Sequence, residues 1–306
     1  MAKIVAFGEV LWDVFGKERR IGGAPFNFCG HLNQLGDQAI LLTAVGRDQL
    51  GKETWDEAKN LGFPTEWLLD VDGPTGICQV VADAKGVPHY DLVKPAAYDE
   101  IALSAVQMDA LQKENADLFY FGTLGQRSEC SRKTLEKILE RISFPQIFCD
   151  VNIRPPYIDA AVLDFSLAHC HIAKVSREEY RFLEMFGLVK CGQNTEILDA
   201  EKAIALAKAY PNLKMVILTR DKEGALVYDV SGNQIIPSSI PKSKLVSAVG
   251  AGDSFSACFV HYLLAGKKLK VCLECGICLS DYVVTQLGAI PKYPEWLRVA
   301  LSEKSK

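Results

Sequence analysis

Short apolar, β-branched segments alternate with longer amphipathic ones along almost the whole chain, and this alternation constrains the fold more than any other property of the sequence. Strand-like segments fall at Ile4–Gly8, Ala39–Val45, Asp117–Phe121, Gln146–Asp150, Ile172–Val175 and Met215–Thr219. Helix-like segments lie among them at Pro25–Leu35, Lys52–Leu61, Ser128–Ile142, Arg177–Phe186 and Ala200–Tyr210. Strands separated by helices have the crossover length that parallel pairing needs. The expected architecture is therefore α/β, with a mostly parallel sheet covered by helices on both faces. No repeat, low-complexity tract or linker divides the 306 residues, so they are read as one domain with a small insertion.

The insertion is where the rhythm breaks. Between Pro64 and Pro95, Ile77–Ala82 and Tyr90–Val93 read as strands around Asp83-Ala-Lys-Gly86, a hairpin signal with no helix between. A β-hairpin set into an α/β chain is a candidate lid. Ala225–Tyr228 and Gln234–Pro237 read as a further antiparallel pair, turning at Ser231-Gly232-Asn233.

Charge excludes some classes of partner. The chain carries 34 basic and 38 acidic residues, a net charge of -4, so neither nucleic acid nor a membrane surface is expected to bind. No apolar run approaches the roughly 18 residues of a membrane helix, and no basic-then-apolar leader opens the chain, so the expected location is cytoplasmic. Scattered cysteines suit a reducing compartment. Cys272, Cys275 and Cys278 recur in steps of three within Leu269–Gln286, which puts them on one helix face. With no fourth ligand nearby, they are read as core residues. His31 and His261 are read as helix-face residues rather than metal ligands.

The run Ser247-Ala-Val-Gly-Ala-Gly-Asp-Ser-Phe255 carries the chemistry. Gly250, Ala251 and Gly252 lack bulk, so the backbone can turn sharply and present successive N–H groups as an anion nest. Ser254–Ala265 reads as a helix, with Phe255, Phe259 and Leu263 on one face and Gly266 as its stop. The nest thus lies at a helix N-terminus, where phosphate is favoured. A carboxylate beside an anion site is repulsive unless a proton acceptor is needed there. Asp253 is accordingly the candidate general base, taking a hydroxyl proton while the nest holds the phosphoryl group. Phe255 stands where a dinucleotide fingerprint wants Gly or Ala, and no Lys-Ser/Thr pair follows as in a Walker loop.

A second constellation lies near the N-terminus. Glu9-Val-Leu-Trp-Asp13 follows the first strand, where open α/β sheets place ligands. Gly22-Gly23 permits close backbone approach, Pro25 suits a helix's first turn, and Asn27 would then face the same crevice as Asp13. An Asp and an Asn converging with free backbone N–H groups make a polyol site, because sugar hydroxyls need both acceptors and donors. The bland alternative makes Asp13 and Asn27 turn and helix-start residues. Lys17, Arg19 and Arg20 are read as a solvated charge run.

With these motifs in hand, the chain resembles the ribokinase-like (PfkB) sugar kinases, and within them the bacterial fructokinases. The likeness runs nearly end to end. It also includes Val45-Gly46 with Asp48, Leu50 and Gly51; Pro74-Thr-Gly76; Gly86-Val-Pro-His-Tyr90; Phe121-Gly-Thr-Leu-Gly-Gln-Arg-Ser128; Asp150-Val-Asn-Ile-Arg154; and Gly288-Ala289 with Pro291. The resemblance implies a three-layer α/β/α core and a small β lid drawn from about residues 11–20 and 74–95. It implies transfer of the ATP γ-phosphoryl group to a sugar hydroxyl with Mg²⁺, in a monomer or a homodimer joined through the lid. By likeness Asp253 is the base and Gly250, Ala251 and Gly252 form the anion hole. Asp13, Gly22, Gly23, Asn27 and Tyr90 bind the sugar, with Arg154 near the transferring phosphate or the substrate. Ser176, Thr219, Asp221, Gly224, Gly252 and Ile277 fall on the nucleotide side, and Glu179 would hold the metal's water shell.

Departures from the family pattern cluster around the nucleotide. Ser247 and Ala248 replace a common Asp-Thr, whose acidic residue in relatives helps bind an activating monovalent cation, so no potassium-specific activation is expected. Ser176 replaces the Asn of Asn-x-x-Glu. Asp221 replaces a Gly near the phosphates, Ile277 an Asn often found near adenine, and Asp281 a small residue. The leading expectation is an ATP-dependent fructokinase acting at the C6 hydroxyl. Alternatives are kinases of 2-keto-3-deoxygluconate, ribose or nucleosides, a phosphosugar kinase if the lid folds Lys17, Arg19 and Arg20 inward, and a sugar-binding pseudokinase with weakened ATP binding.

Overall fold

A computed structural model of the chain describes residues 1–82, 88–190, 198–239 and 245–305. In chain order the strands and helices are β1 (Lys3–Phe7), β2 (Leu11–Phe15), β3 (Glu18–Gly22), α1 (Ala24–Leu35), β4 (Gln38–Gly46), α2 (Gln49–Asn60), β5 (Leu68–Val71), β6 (Gly76–Ala82) and β7 (Pro88–Leu92). There follow α3 (Ala105–Lys113), β8 (Leu118–Gly122), α4 (Glu129–Arg141), β9 (Gln146–Asp150), α5 (Ala160–Ala168), β10 (Ile172–Ser176), α6 (Arg177–Met185) and α7 (Asp199–Ala209). The chain ends with β11 (Met215–Thr219), β12 (Ala225–Asp229), β13 (Gln234–Ser238), α8 (Ala251–Leu264), α9 (Leu269–Val283) and α10 (Glu295–Lys304).

Among the described residues the large sheet has nine strands, in the order β13-β12-β11-β10-β9-β8-β1-β4-β5. Pairing is parallel from β5 to β11 and antiparallel for β11–β12 and β12–β13. Buried runs such as Leu118-Phe-Tyr-Phe-Gly122 are what a sheet covered on both faces requires. Alternate strand residues feed two cores. Val5 and Phe7 pack toward the side of α3–α7, while Ile4 and Ala6 pack toward α1, α8, α9 and α10. Of the three cysteines spaced along one helix face, Cys272 and Cys275 are fully buried in the second core and Cys278 is partly buried against it. No helix among the described residues is long and apolar enough to cross a membrane.

The order of strands reverses at β1, whose neighbours are β4 and β8. Such a reversal opens a crevice at the carboxyl ends of the strands, where ligands bind. A second sheet has the order β3-β2-β6-β7, and its strand β2 follows the carboxyl end of β1. β2 and β6 run parallel, so the segments expected to form the lid are two hairpins laid side by side rather than one. The predicted hairpin accounts for β6 and β7; its turn, Asp83–Gly86, lies outside the described residues. Asp48 roots the lid: it accepts bonds from the Gly51 amide, the Thr75 amide and the Thr75 hydroxyl at 2.7–2.8 Å. Trp12 on β2 donates its indole N–H to Thr54 on α2 at 2.9 Å. The sequence pattern has no counterpart for β5, α3, α5 or α10. β5 is four residues long, and α5, Ala-Ala-Val-Leu-Asp-Phe-Ser-Leu-Ala, is apolar on most sides and so shows no clean helical period.

Candidate active site

α8 begins at the mouth of the crevice. Gly250 caps it in the left-handed region, φ 81°, and a Cβ there would lie 2.7 Å from the Ala289 carbonyl oxygen, so only glycine fits. The Ala251 amide makes a long bond, 3.3 Å, back to the Ala248 carbonyl. Gly252 and Asp253 follow in the first turn, whose amides have no earlier helical carbonyl to satisfy them. These amides and the helix dipole stand where the glycines lead the sequence reading to expect an anion nest.

Asp253 is half-buried and receives a hydrogen bond from Asn27 Nδ2 at 2.8 Å. Asn27 Oδ1 is buried with no hydrogen-bond partner among the described residues. Asn27 thus faces two ways: its amide nitrogen bonds Asp253, and its carbonyl oxygen is left without a partner among the described residues. Burial pushes the Asp253 carboxyl up to about 6. The Asn27 bond works against this, Asp150 adds to it, and Lys174 and Arg154 pull the value back down.

Beneath the nest lies an ion pair that sequence reasoning missed. Lys174 on β10 donates to both Asp150 oxygens, at 2.8 and 2.6 Å, with both side chains almost fully buried. Burial alone would strip the Lys174 ammonium, but Asp150 holds its pKa above the ordinary value. The Lys174 Nζ lies 3.3 Å from where a Cβ on Gly252 would stand, so a full positive charge rests directly under the nest. Ser256 and Tyr120 donate hydroxyls to Asp150, each at 3.3 Å. The signal was present in the sequence: a lone lysine inside a central, buried parallel strand must find a carboxylate.

On the sugar side, Asp13 sits on lid strand β2 with its Oδ2 3.3 Å from the Cβ position of Gly22. Burial raises the Asp13 carboxyl, while the Cys78 thiol across on β6 and the Arg154 charge act against the rise. Gly23, φ 107°, passes so close to Glu9 that a Cβ would lie 2.5 Å from the Glu9 carbonyl oxygen. Glu9, 3% exposed, accepts from the Ala24 amide at 3.1 Å and so caps α1. Burial pushes its carboxyl up to about 7; hydrogen bonds and Arg154 oppose this, and Asp253 reinforces it. Arg154 is exposed, and its charge is felt at Glu9, Asp13 and Asp253. Tyr90 stands on β7 at 53% exposure. Of the charge run, Arg19 pairs with Glu53 at 2.7 Å and lies over Trp12. Arg20 is the cross-strand partner of Asp13 and pairs with Glu18 at 3.3 Å.

On the nucleotide side, Ser176 caps α6, and Glu179 Oε2 accepts from the Ser176 amide at 2.7 Å. Glu179 Oε1 accepts from the Ile153 amide at 2.8 Å, leaving each oxygen a further lone pair. Thr219 ends β11. Asp221 follows at φ 49°, a left-handed conformation that explains why glycine is common there and that Asp tolerates better than most residues. A Cβ on Gly224 would meet the Ser238 carbonyl at 2.2 Å. Glu223 is drawn away from the cleft by Arg177, at 2.9 and 3.0 Å. Ile277 is placed elsewhere: it is 4% exposed and packs in the core with Phe255 and Leu273. Ser247 accepts the Val249 amide at 3.3 Å.

A family model described as the pfkB family carbohydrate kinase matches residues 1–296. An ATP-dependent 6-phosphofructokinase of Thermoanaerobacterium thermosaccharolyticum is 24% identical over 312 residues, covering 95% of this chain and 91% of that protein. A probable fructokinase-5 of Arabidopsis thaliana is 26% identical over 322 residues, covering 95% and 94%. Among solved structures, a fructokinase with bound ATP from Xylella fastidiosa matches with a TM-score of 0.81 at 18% identity, covering 99% of each chain.

Proposed function

The chain belongs to the pfkB family of carbohydrate kinases and is an ATP-dependent sugar kinase, and from that premise we propose that its acceptor is fructose, phosphorylated on the C6 hydroxyl. The observation that supports this reading is the unpartnered Asn27 Oδ1 beside Asp253, with Asp13 on β2 within the field of the same Arg154 that acts on Asp253. Acceptors of this kind suit an uncharged, hydroxyl-rich acceptor molecule.

In the reaction, Asp253 takes the proton of the attacking hydroxyl as its oxygen bonds to the γ-phosphorus and the bond to ADP breaks. The amides of Gly252 and Asp253, the α8 dipole and the Lys174 charge beneath them face the negative charge that spreads over the phosphoryl oxygens. Arg154, exposed in the strap after β9, offers that group a guanidinium. Among the described residues no cluster of three or more His, Cys, Asp or Glu could cage a metal. A magnesium ion would therefore be held mainly by the ATP phosphates and its own water, with Glu179 anchoring that water shell and the ion neutralising phosphate charge.

A second reading has one observation in its favour. Arg20 shares the Asp13 face of the lid, and if freed from Glu18 it would meet an acidic acceptor such as a phosphosugar or sugar acid. An ADP-release assay over fructose, ribose, a nucleoside, 2-keto-3-deoxygluconate and fructose 6-phosphate decides between them. The fructose reading expects kcat/KM for fructose at least about tenfold above the rest, a difference of about 1.4 kcal/mol in transition-state binding. A preference for either anionic acceptor overturns it.

A further inference from the structure

The motif Phe121–Ser128 contains a side chain that neither the phosphoryl transfer nor the nucleotide site uses. Arg127 follows β8, and its side chain is 1% exposed. Its Nε and Nη2 take the two oxygens of Asp99 at 2.7 and 2.9 Å. Its Nη1 and Nη2 also donate to the carbonyls of Leu92, at 3.3 Å, and Val93, at 2.9 Å. The guanidinium lies between the rings of Tyr98 and Tyr157, 4.5 and 4.6 Å from their centroids. Tyr157 donates its own hydroxyl to Leu92 O at 3.0 Å.

These contacts join parts of the acceptor site that are distant in sequence. Leu92 and Val93 are the exit of lid strand β7. Tyr157 closes the short strap that carries Arg154, through a bond from its amide to the Arg154 carbonyl at 2.9 Å. Thr123, at the head of the same motif, donates to Val151 O at 2.7 Å, just before the strap. One planar fork between two rings therefore fixes lid and strap against the core, a task a lysine's point charge does not reproduce.

We propose that Arg127 is the positioning residue that couples the lid to the strap bearing Arg154, so that the two sides of the acceptor site move as one body. The proposal rests on the reading that lid and Arg154 meet the acceptor. A merely structural ion pair would hold the fold together without linking these two segments selectively.

The test uses Arg127→Lys, which keeps the charge and loses the fork, and Tyr157→Phe, which removes a single hydroxyl and leaves the packing. Amide exchange is followed in the ligand-free protein at the β7 exit, where the Val93 amide bonds to Ile77 O, and in the strap at Tyr157. Both segments are expected to exchange about tenfold faster in each variant, the scale of one lost charge-assisted bond. Amides of β8 are expected to stay unchanged. Faster exchange in one segment alone, or in neither, overturns the coupling, and Tyr157→Phe keeps the test open if Arg127→Lys fails to fold. No substrate enters this arm, so its outcome is independent of which sugar is the acceptor. In steady-state kinetics with the best acceptor of the panel, the acceptor KM is expected to rise at least about fivefold while the ATP KM stays within about twofold. An equal rise in both overturns the positioning role.

Discussion

Asn27 and Asp253 lie 226 residues apart in the chain and meet through a 2.8 Å hydrogen bond between side chains. The bond comes from an N–H, so it favours the ionised carboxylate, the form that the proposed general base must have to accept a proton. Burial works the other way and sets the balance at about 6. A base must be deprotonated to act, so kcat/KM is expected to fall as pH drops through about 6. Asn27→Leu removes the bond that supports the ionised form, and the acid limb is expected to move up by roughly one pH unit. Asp253→Asn is expected to lower kcat about a hundredfold or more while fructose still shifts the melting temperature. A loss under threefold would remove Asp253 from the mechanism.

Glu9 titrates close by, and its burial ties stability to pH. Its folded pKa is raised, to about 7, above the ordinary 4.5. A carboxyl raised in this way contributes stability in its protonated form, fully below about 4.5, and loses it as pH rises through about 7. Relative to Glu9→Gln, the native protein should lose about 3 kcal/mol over that window, since each pH unit between the two values is worth about 1.4 kcal/mol. Urea unfolding of both proteins at several pH values measures the difference, and a gap independent of pH would show that Glu9 remains ionised.

The Lys174–Asp150 pair should respond asymmetrically to substitution. Lys174→Met leaves a carboxylate buried without its partner and is expected to cost about 3–5 kcal/mol. The double variant with Asp150→Asn removes both charges and should recover a large part of that loss. Equal destabilisation in the single and double variants would show that the pair acts through shape rather than charge.

How much of this was legible in the sequence differs between the two kinds of feature. The helix start at Gly250–Asp253 could be read directly, because the turn demands glycine where the backbone enters the left-handed region. Most of the helices and parallel strands were legible for the same local reason, through their periodicity, while the four-residue β5 and the almost wholly apolar α5 carry no such period. The Asn27–Asp253 bond, the Lys174–Asp150 pair and the Arg127 fork were not, because each joins residues whose neighbours say only "helix" or "strand". Asn27 was placed by the sequence on the sugar side; that its amide also holds the base depends on how α1 packs against α8. Ile277 shows the converse error of reading position from motif alone, since the packing of α9 against α8 turns its side chain into the core.

Monovalent cations should matter little to this kinase. An activating potassium ion needs several oxygen ligands at one place, and in relatives an acidic side chain supplies charge as well as an oxygen. Here that position is Ser247, whose Oγ accepts the Val249 amide and whose own amide donates to Val284 O at 3.1 Å. The serine thus closes a local turn and brings no charge to hold a monovalent cation. Activity in sodium, potassium and tetramethylammonium chloride at equal ionic strength is therefore expected to agree within about twofold, the residue of general screening effects. Ser247→Asp restores a carboxylate at the turn and is expected to create a potassium dependence that the native protein lacks. Strong potassium activation of the native protein would mean that other groups complete the site and that Ser247 does not decide the matter.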